Sequence, residues 1–237
     1  MRKPVPLLLW DLDGTILDAS LGILPALEEA FTNQGFSVPE TTVLRQFVGP
    51  QILDSLANFT DIPLSEHHRI LAEFKTNTYR KHFSKAELYP EVLELISEFH
   101  RRGFVQAIAS QKPEHLVNEV LETYQLTHLF EIVSGSADDF GVLNQDLPRD
   151  KPGIVRRAIE LAHAEFSVGT AVMIGDRSYD GEGAKSQGIA FIGVDWGYAS
   201  EGELEQFNAP IAQNMDDLRR IIDNLVGSSK DLPVEKR

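Results

Sequence analysis

The feature that most constrains this chain is an alternation of short apolar runs with longer amphipathic stretches. The runs are Pro6–Trp10, Phe104–Ala109, Phe130–Ser134, Thr170–Ile174 and Ile189–Val194. Most are rich in Val, Ile or Phe, with Gly or Asp at a boundary, as expected of strands buried on both faces of a parallel sheet. Between them lie Pro90–Arg102, Pro113–Tyr124, Pro152–His163 and Asp180–Gln187, which carry helical patterning. Three of these open with proline, whose missing N–H suits the first turn of a helix. Gly103 and Gly188 follow two of them as stops. Strand and helix in alternation predict an α/β fold with an open, doubly wound, mostly parallel sheet.

One segment breaks the pattern. From the first run to Pro90 the chain keeps three- and four-residue apolar spacing, seen at Leu24, Leu27, Phe31 and again at Ile70, Leu71, Phe74. The spacing predicts a helical cap inserted over residues 19–85, with a Rossmann-like core built from residues 1–18 and 86–237. The crossings would be Thr15–Asp18 and Ser84–Tyr89, and because both join strand ends, the insertion is expected to cover the crevice there. Met215–Val226 reads as an amphipathic helix, and Gly227–Arg237 as a frayed tail.

Four segments at or near strand ends carry residues suited to chemistry. Ligands of open parallel sheets bind outside the carboxyl ends of the strands. Directly after the first run come Asp11-Leu12-Asp13-Gly14-Thr15. Two acids two positions apart can face one crevice if the chain turns at Gly14. An ionised Asp11 can attack phosphorus, and Asp13 can give and take a proton; the same string also reads as an ordinary strand-ending turn. After the fourth run come Gly175-Asp176-Arg177-Ser178-Tyr179-Asp180, whose carboxylates suit a hard cation such as magnesium. Asp180 equally suits a helix N-cap. Ser110 ends the second run, where a hydroxyl beside helix amides can meet a phosphoryl oxygen or simply cap the helix. Lys151, in Asp150-Lys151-Pro152, sits at a helix start where the dipole disfavours a cation; a nearby anion would compensate, and an exposed surface lysine is the alternative.

Charge narrows the partners. The 237-residue chain has 36 acidic and 22 basic side chains, a formal charge of −14. Such a surface repels nucleic-acid backbones and anionic membranes. An anionic ester would also be repelled unless a divalent metal and one or two lysines concentrate positive charge locally. The chain has no cysteine, which removes disulfides, thiolate catalysis and cysteine-bound metal. The apolar stretch before Asp11 is too short for a signal peptide or a membrane span, so a cytoplasmic protein is expected.

Taken in order, Asp-x-Asp-Gly-Thr, an apolar run ending in Ser, a Lys, and Gly-Asp-x-x-x-Asp resemble the four motifs of the haloacid dehalogenase superfamily, over a span from about Leu7 to about Val226. The resemblance implies that Asp11 is the nucleophile and Asp13 the acid/base. It further implies that Ser110 and Lys151 bind the phosphoryl group and that Lys151 also steadies Asp11. Mg2+ would be held by Asp11, the backbone carbonyl of Asp13, and Asp176, with Asp180 nearby through a water. Dehalogenases of the superfamily lack the second acid, and its ion pumps need membrane helices. The stretch Gly175–Ala199 and Phe47-Val48-Gly49-Pro50 look like the phosphoglycolate phosphatase-like group, although Gln51 stands where that group commonly has a second proline. The implied activity is hydrolysis of a small-molecule phosphate monoester. A phosphotransferase or sugar-phosphate mutase, a 5′-nucleotidase and a pyrophosphatase share the same core. The implied partner is a small phosphate ester, and the implied state a monomer or homodimer. Arg45 and Gly49 are the candidates for reading the rest of the substrate; a solvated helix arginine is the other reading of Arg45.

Overall fold

The computed structural model describes residues 4–138 and 146–227. In chain order the elements begin β1 (Val5–Trp10), β2 (Leu17–Asp18), α1 (Ser20–Asn33), α2 (Thr41–Leu44), α3 (Ile52–Phe59), α4 (Leu64–Glu73), α5 (Tyr79–His82) and β3 (Glu87–Leu88). They continue α6 (Val92–Arg101), β4 (Val105–Pro113), α7 (Glu114–Thr123), β5 (Ile132–Ser136), α8 (Lys151–Glu165) and β6 (Val168–Gly175). The last are α9 (Ser178–Gln187), β7 (Ala190–Val194), β8 (Ile211–Ala212) and α10 (Met215–Val226). Two compact units result: the described residues up to Ile16 and from Tyr89 onward form one, and Leu17–Leu88 the other.

In the first unit a six-stranded sheet runs in the order β5-β4-β1-β6-β7-β8, every neighbouring pair parallel. β1 lies inside it, and Leu7, Leu8, Leu9 and Trp10 are all fully buried, which is why its sequence is apolar without alternation. Leu7 and Leu9 share a face with Ala107, Ala109 and Met173 and pack on Ile154, Val155, Ala158 and Ala162 of α8. Gln106, a large polar side chain buried in β4, accepts from the Trp10 indole N–H at 3.2 Å. It donates in turn to the carbonyls of Ile96 and Leu129, so its burial leaves no amide group unpaired.

Register decides where the functional loops emerge. Trp10 lies opposite Ile108 of β4 and Ile174 of β6, and the Asp11 N–H donates to the Ile174 carbonyl at 2.9 Å. The chain therefore passes Asp11, Ser110 and Asp176 at one edge of the sheet.

Several boundaries differ from the sequence expectation. β4 does not stop at Ser110 but continues to Pro113, and α7 starts at Glu114 with Pro113 extended as its N-cap. Proline could not continue the ladder and its φ of −49° suits the step into a helix. α9 starts at Ser178, so Asp180 is not its cap but lies inside its first turn. α6 starts at Val92 because Glu91 takes a positive φ of 63°. β8, two residues long, was too short to carry an apolar signal. Of the tail expected over Gly227–Arg237, residues 228–237 lie outside the described residues.

The second unit is helical, apart from an antiparallel pair joining its ends: Leu17 opposite Leu88, and Asp18 opposite Glu87. The sequence placed the insertion over 19–85, and this pairing is what carries the compact unit to Leu17–Leu88. α1 buries Ile23, Ala26, Leu27, Ala30 and Phe31. Phe31 meets Phe47 edge-on with ring centroids 6.2 Å apart, and Phe47 meets Phe59 at 6.1 Å. Glu29 on α1 accepts from Lys81 and pairs with His82 of α5 at 2.8 and 2.9 Å. Among the described residues no helix is long and apolar enough to cross a membrane.

Leu9 tests the core directly, since it touches helix and sheet partners and is wholly enclosed. Leu9→Ala should cost about 2–5 kcal/mol, read as a lower denaturant midpoint at unchanged slope.

Candidate active site

The turn after β1 is closed by its own backbone: the N–H groups of Thr15 and Ile16 both donate to the Leu12 carbonyl, at 3.3 and 3.0 Å. Gly14 sits there at φ +94°, and a Cβ added to it would collide with the Asp176 carboxylate. Glycine is therefore required twice, for its dihedral and for its lack of bulk. Asp11 and Asp13 are thereby brought together with Asp176 and Asp180 in a buried group of four carboxylates.

Two buried lysines face them. Lys151, 3% exposed at the start of α8, places Nζ 2.6 Å from Asp11 Oδ1 and 2.6 Å from Asp180 Oδ1. A helix N-terminus is a poor place for a cation, and these two acids are the compensating anions. Burial pulls the Lys151 ammonium toward its neutral form, yet Asp11 and Asp180 outweigh burial and hold its pKa above the usual lysine range. Lys112 places Nζ 2.6 Å from Asp13 Oδ2. Asp13 Oδ1 is buried with no hydrogen-bond partner among the described residues.

Asp176 is held by the Tyr198 N–H at 2.8 Å and the Thr15 hydroxyl at 3.4 Å. Asp180 Oδ2 accepts the Arg177 N–H at 3.0 Å. Arg177 is itself engaged by Glu203, whose Oε1 also accepts the N–H and hydroxyl of Ser178 at 2.8 and 3.0 Å. Burial pushes the Glu203 carboxyl up, but the amides of Ser178 and Ser200 together with Arg177 bring it below its ordinary value. This clasp fixes the loop between β6 and α9.

Charge in the cluster does not balance. Burial, then the charges of Asp11 and Asp180, push the Asp176 carboxyl well up. Burial raises Asp180 to about 6 against the pull of Lys151. Burial likewise raises Asp13 against Lys112. Carboxylate oxygens of Asp11, Asp176 and Asp180 lie within 4.8 Å of one another. An all-oxygen, acid-rich set with too little cationic compensation fits a hard divalent ion.

The structure thus gathers Asp11, Asp13, Lys151, Asp176 and Asp180. The carboxylate beside Asp11 and Asp176 is that of Asp180, while the Asp13 side chain turns to Lys112. Ser110 is buried in β4, where its hydroxyl accepts the Lys112 N–H at 3.3 Å; it does not cap α7. Arg45 is exposed at the start of the 3-10 turn Arg45–Phe47 in the other unit, and Gly49 follows that turn at φ +106°. Sequence reasoning missed Lys112, Thr15, Tyr198 and Glu203. Thr15 closes the Asp-x-Asp-Gly-Thr motif but was given no role there, and Lys112 had a signal of its own: two positions after Ser110 on a strand, it shares that residue's face.

The chain matches the haloacid dehalogenase-like hydrolase family over residues 8–194 and belongs to it. It is an enzyme of this hydrolase family, and it is similar to phosphoglycolate phosphatases. A phosphoglycolate phosphatase of Mesorhizobium japonicum is 28% identical over 90% of this chain and 92% of its own length. The tyrosine-protein kinase PtkA of Mycobacterium tuberculosis is 26% identical over 91% of this chain and 72% of its own. A crystal structure of a predicted phosphatase from Clostridium acetobutylicum superimposes with a TM-score of 0.82 at 27% identity, covering 94% of this chain and 100% of that one.

Because the folded pKa of Asp180 is raised, its protonation stabilises the cation-free fold. That contribution is complete below the ordinary carboxylate pKa and is lost as pH rises through about 6. In chelated buffer the melting temperature should therefore fall as pH climbs from 4 to 7 on the strength of this group. Added magnesium should restore it at pH 7 and do little at pH 4. Scanning calorimetry across that range checks both arms.

Proposed function

We propose that this enzyme hydrolyses a small phosphate monoester of the phosphoglycolate type through an aspartyl-phosphate on Asp11. The observation that carries the reading is the pair of acids on one turn, one bound to Lys151 and the other keeping an unpartnered oxygen. Asp11 attacks phosphorus, an Asp11 O–P bond forms and the ester P–O bond breaks. Asp13, whose burial favours the protonated form, gives its proton to the leaving oxygen. Asp13 then takes a proton from the water that attacks the aspartyl-phosphate, releasing inorganic phosphate and Asp11. Lys151 holds Asp11 in place and opposes phosphoryl charge, and the Ser110 hydroxyl donates to a phosphoryl oxygen. Asp11, Asp176 and the Asp13 carbonyl, with Asp180 as a direct ligand or through a water, would hold a magnesium ion, which would supply the charge that lets a dianionic ester approach carboxylates.

The similarity to the M. japonicum protein along 90% of this chain supports the substrate class. Arg45 and the Gly49 loop are the part of this reading that concerns selectivity. Phosphoryl transfer to an acceptor other than water is the second reading, favoured by the likeness to a protein named as a kinase.

A phosphate-release panel of 2-phosphoglycolate, nucleoside monophosphates, sugar phosphates and pyrophosphate tests the assignment. Turnover of 2-phosphoglycolate without any acceptor is expected. Asp11→Asn should lower turnover by at least about 10³-fold with the fold intact by circular dichroism; near wild-type turnover would remove the covalent route.

Lys112 gives a separate test. Lys112→Met should lower kcat/KM for alkyl phosphates by roughly 10- to 100-fold, a part of the roughly 10²- to 10⁴-fold that a proton donor contributes. For p-nitrophenyl phosphate, whose leaving group needs little protonation, the loss should stay under about 3-fold. Equal losses on both would deny Lys112 a role in aiming Asp13.

A further inference from the structure

Asp195, Trp196, Gly197 and Tyr198 form a loop after β7 that the chemistry above uses only for one amide. The Tyr198 N–H donates to Asp176 Oδ2 at 2.8 Å. Gly197 approaches so closely that a Cβ there would overlap the same carboxylate. Between Asp195 and Gly197 the half-buried Trp196 points elsewhere: its indole N–H donates to the Thr15 carbonyl at 3.2 Å. Its ring stands edge-on to Tyr89, with centroids 6.3 Å apart and planes at 60°. Thr15 and Tyr89 are not arbitrary neighbours. The chain leaves this unit after Ile16 and re-enters it at Tyr89, and the Tyr89 N–H donates to the Ile16 carbonyl at 3.0 Å. Thr15 also turns its hydroxyl to Asp176 Oδ1 at 3.4 Å.

We infer that Trp196 is a positioning residue that ties the departing and returning strands of the chain to the loop holding Asp176. One side chain bonds the end of the turn that bears Asp11 and Asp13. It packs on the residue where the chain returns, and its two successors in sequence define the pocket around Asp176. A closed ring of contacts results: Asp176 to Thr15, Thr15 to Trp196, and Trp196 through Gly197 and Tyr198 back to Asp176. Tyr89 is attached to that ring from the side.

Two consequences follow from such a ring. The turn carrying the nucleophile and the acid/base cannot shift against Asp176 without breaking the indole bond or the Thr15 bond. A cation drawn to Asp176 must also alter the stability of both crossings, and the crossings must alter cation affinity by the same factor, since coupling is reciprocal. This second consequence rests on the cation-binding reading above; the first does not.

Amide hydrogen exchange on the full chain, with magnesium alone as the probe and calorimetry as a separate measure of binding, distinguishes the two. Trp196→Phe keeps an aromatic ring and removes the donor. Without magnesium it should speed exchange in peptides spanning Thr15–Asp18 and Leu88–Val92 by roughly 3- to 10-fold, as one lost hydrogen bond implies, while α8 and α10 stay unchanged. With magnesium, both peptides should be protected in the wild type. In Trp196→Phe the ion should still bind, more weakly, and the protection of Leu88–Val92 should be lost. Tyr89→Leu, which leaves the indole donor in place, should lose that protection at Leu88–Val92 but keep it at Thr15–Asp18. Unchanged exchange at both crossings in metal-free Trp196→Phe would overturn the positioning role. Equal magnesium protection in wild type and Trp196→Phe would overturn the coupling. Absence of any magnesium binding to the wild type would instead strike the functional reading, and the metal-free comparison would still decide the role of Trp196.

Discussion

The structure depends on how two lysines are set against four buried carboxylates. Lys151 reaches Asp11 and Asp180, and Lys112 reaches Asp13, so the charges are largely paired but not cancelled. Removing ionised groups from water costs several kcal/mol each unless partners compensate. Four acids with two lysines make a site that resists full ionisation, which the raised Asp13, Asp176 and Asp180 carboxyls express. An enzyme gains from that imbalance. A net negative set of this kind attracts a cation more strongly than a neutral set of the same shape would.

The frame around this cluster is mostly backbone. Parallel register places the ends of β1, β4 and β6 at one edge, and each loop is then locked by a small number of polar contacts. Glu203 gathers Arg177, Ser178 and Ser200, Gly14 lets the first turn close against Asp176, and Gly197 and the Tyr198 N–H of the Trp196 loop also close on it. Such fixed donors and acceptors need little rearrangement during reaction, which is where much of the catalytic advantage of a buried site arises. The helical unit is organised differently, by aromatic edge contacts and a Glu29 anchor between α1 and α5, and it presents Arg45 on its surface.

Much of this was legible from residue order. Strands buried on both faces must be apolar throughout, so five of the six sheet strands announced themselves, and acids at the ends of two of them marked the crevice. Helical spacing over the insertion was equally plain, because one face of each helix had to be buried. Boundaries were less so. Pro113 and Asp180 both looked like helix starts, and only the continuing ladder of β4 and the earlier start of α9 moved them.

The sequence by itself determined the sheet, the inserted helices and the residue types that a phosphoryl site requires, because these follow from local periodicity and from acids placed at strand ends. The family resemblance set Lys151 beside Asp11, but only the tertiary structure decided that Lys151 also meets Asp180 and that Asp13 faces Lys112. Asp13 and Lys112 are 99 positions apart, and Asp11 and Lys151 are 140 apart, so no local pattern could pair them. The same holds for Trp196 and Thr15, 181 positions apart. Their meeting depends on strand order across the sheet, where β6 lies beside β1 and β7 beyond it. That order is set by how the helices cover the two faces, a property of the packed whole rather than of any segment.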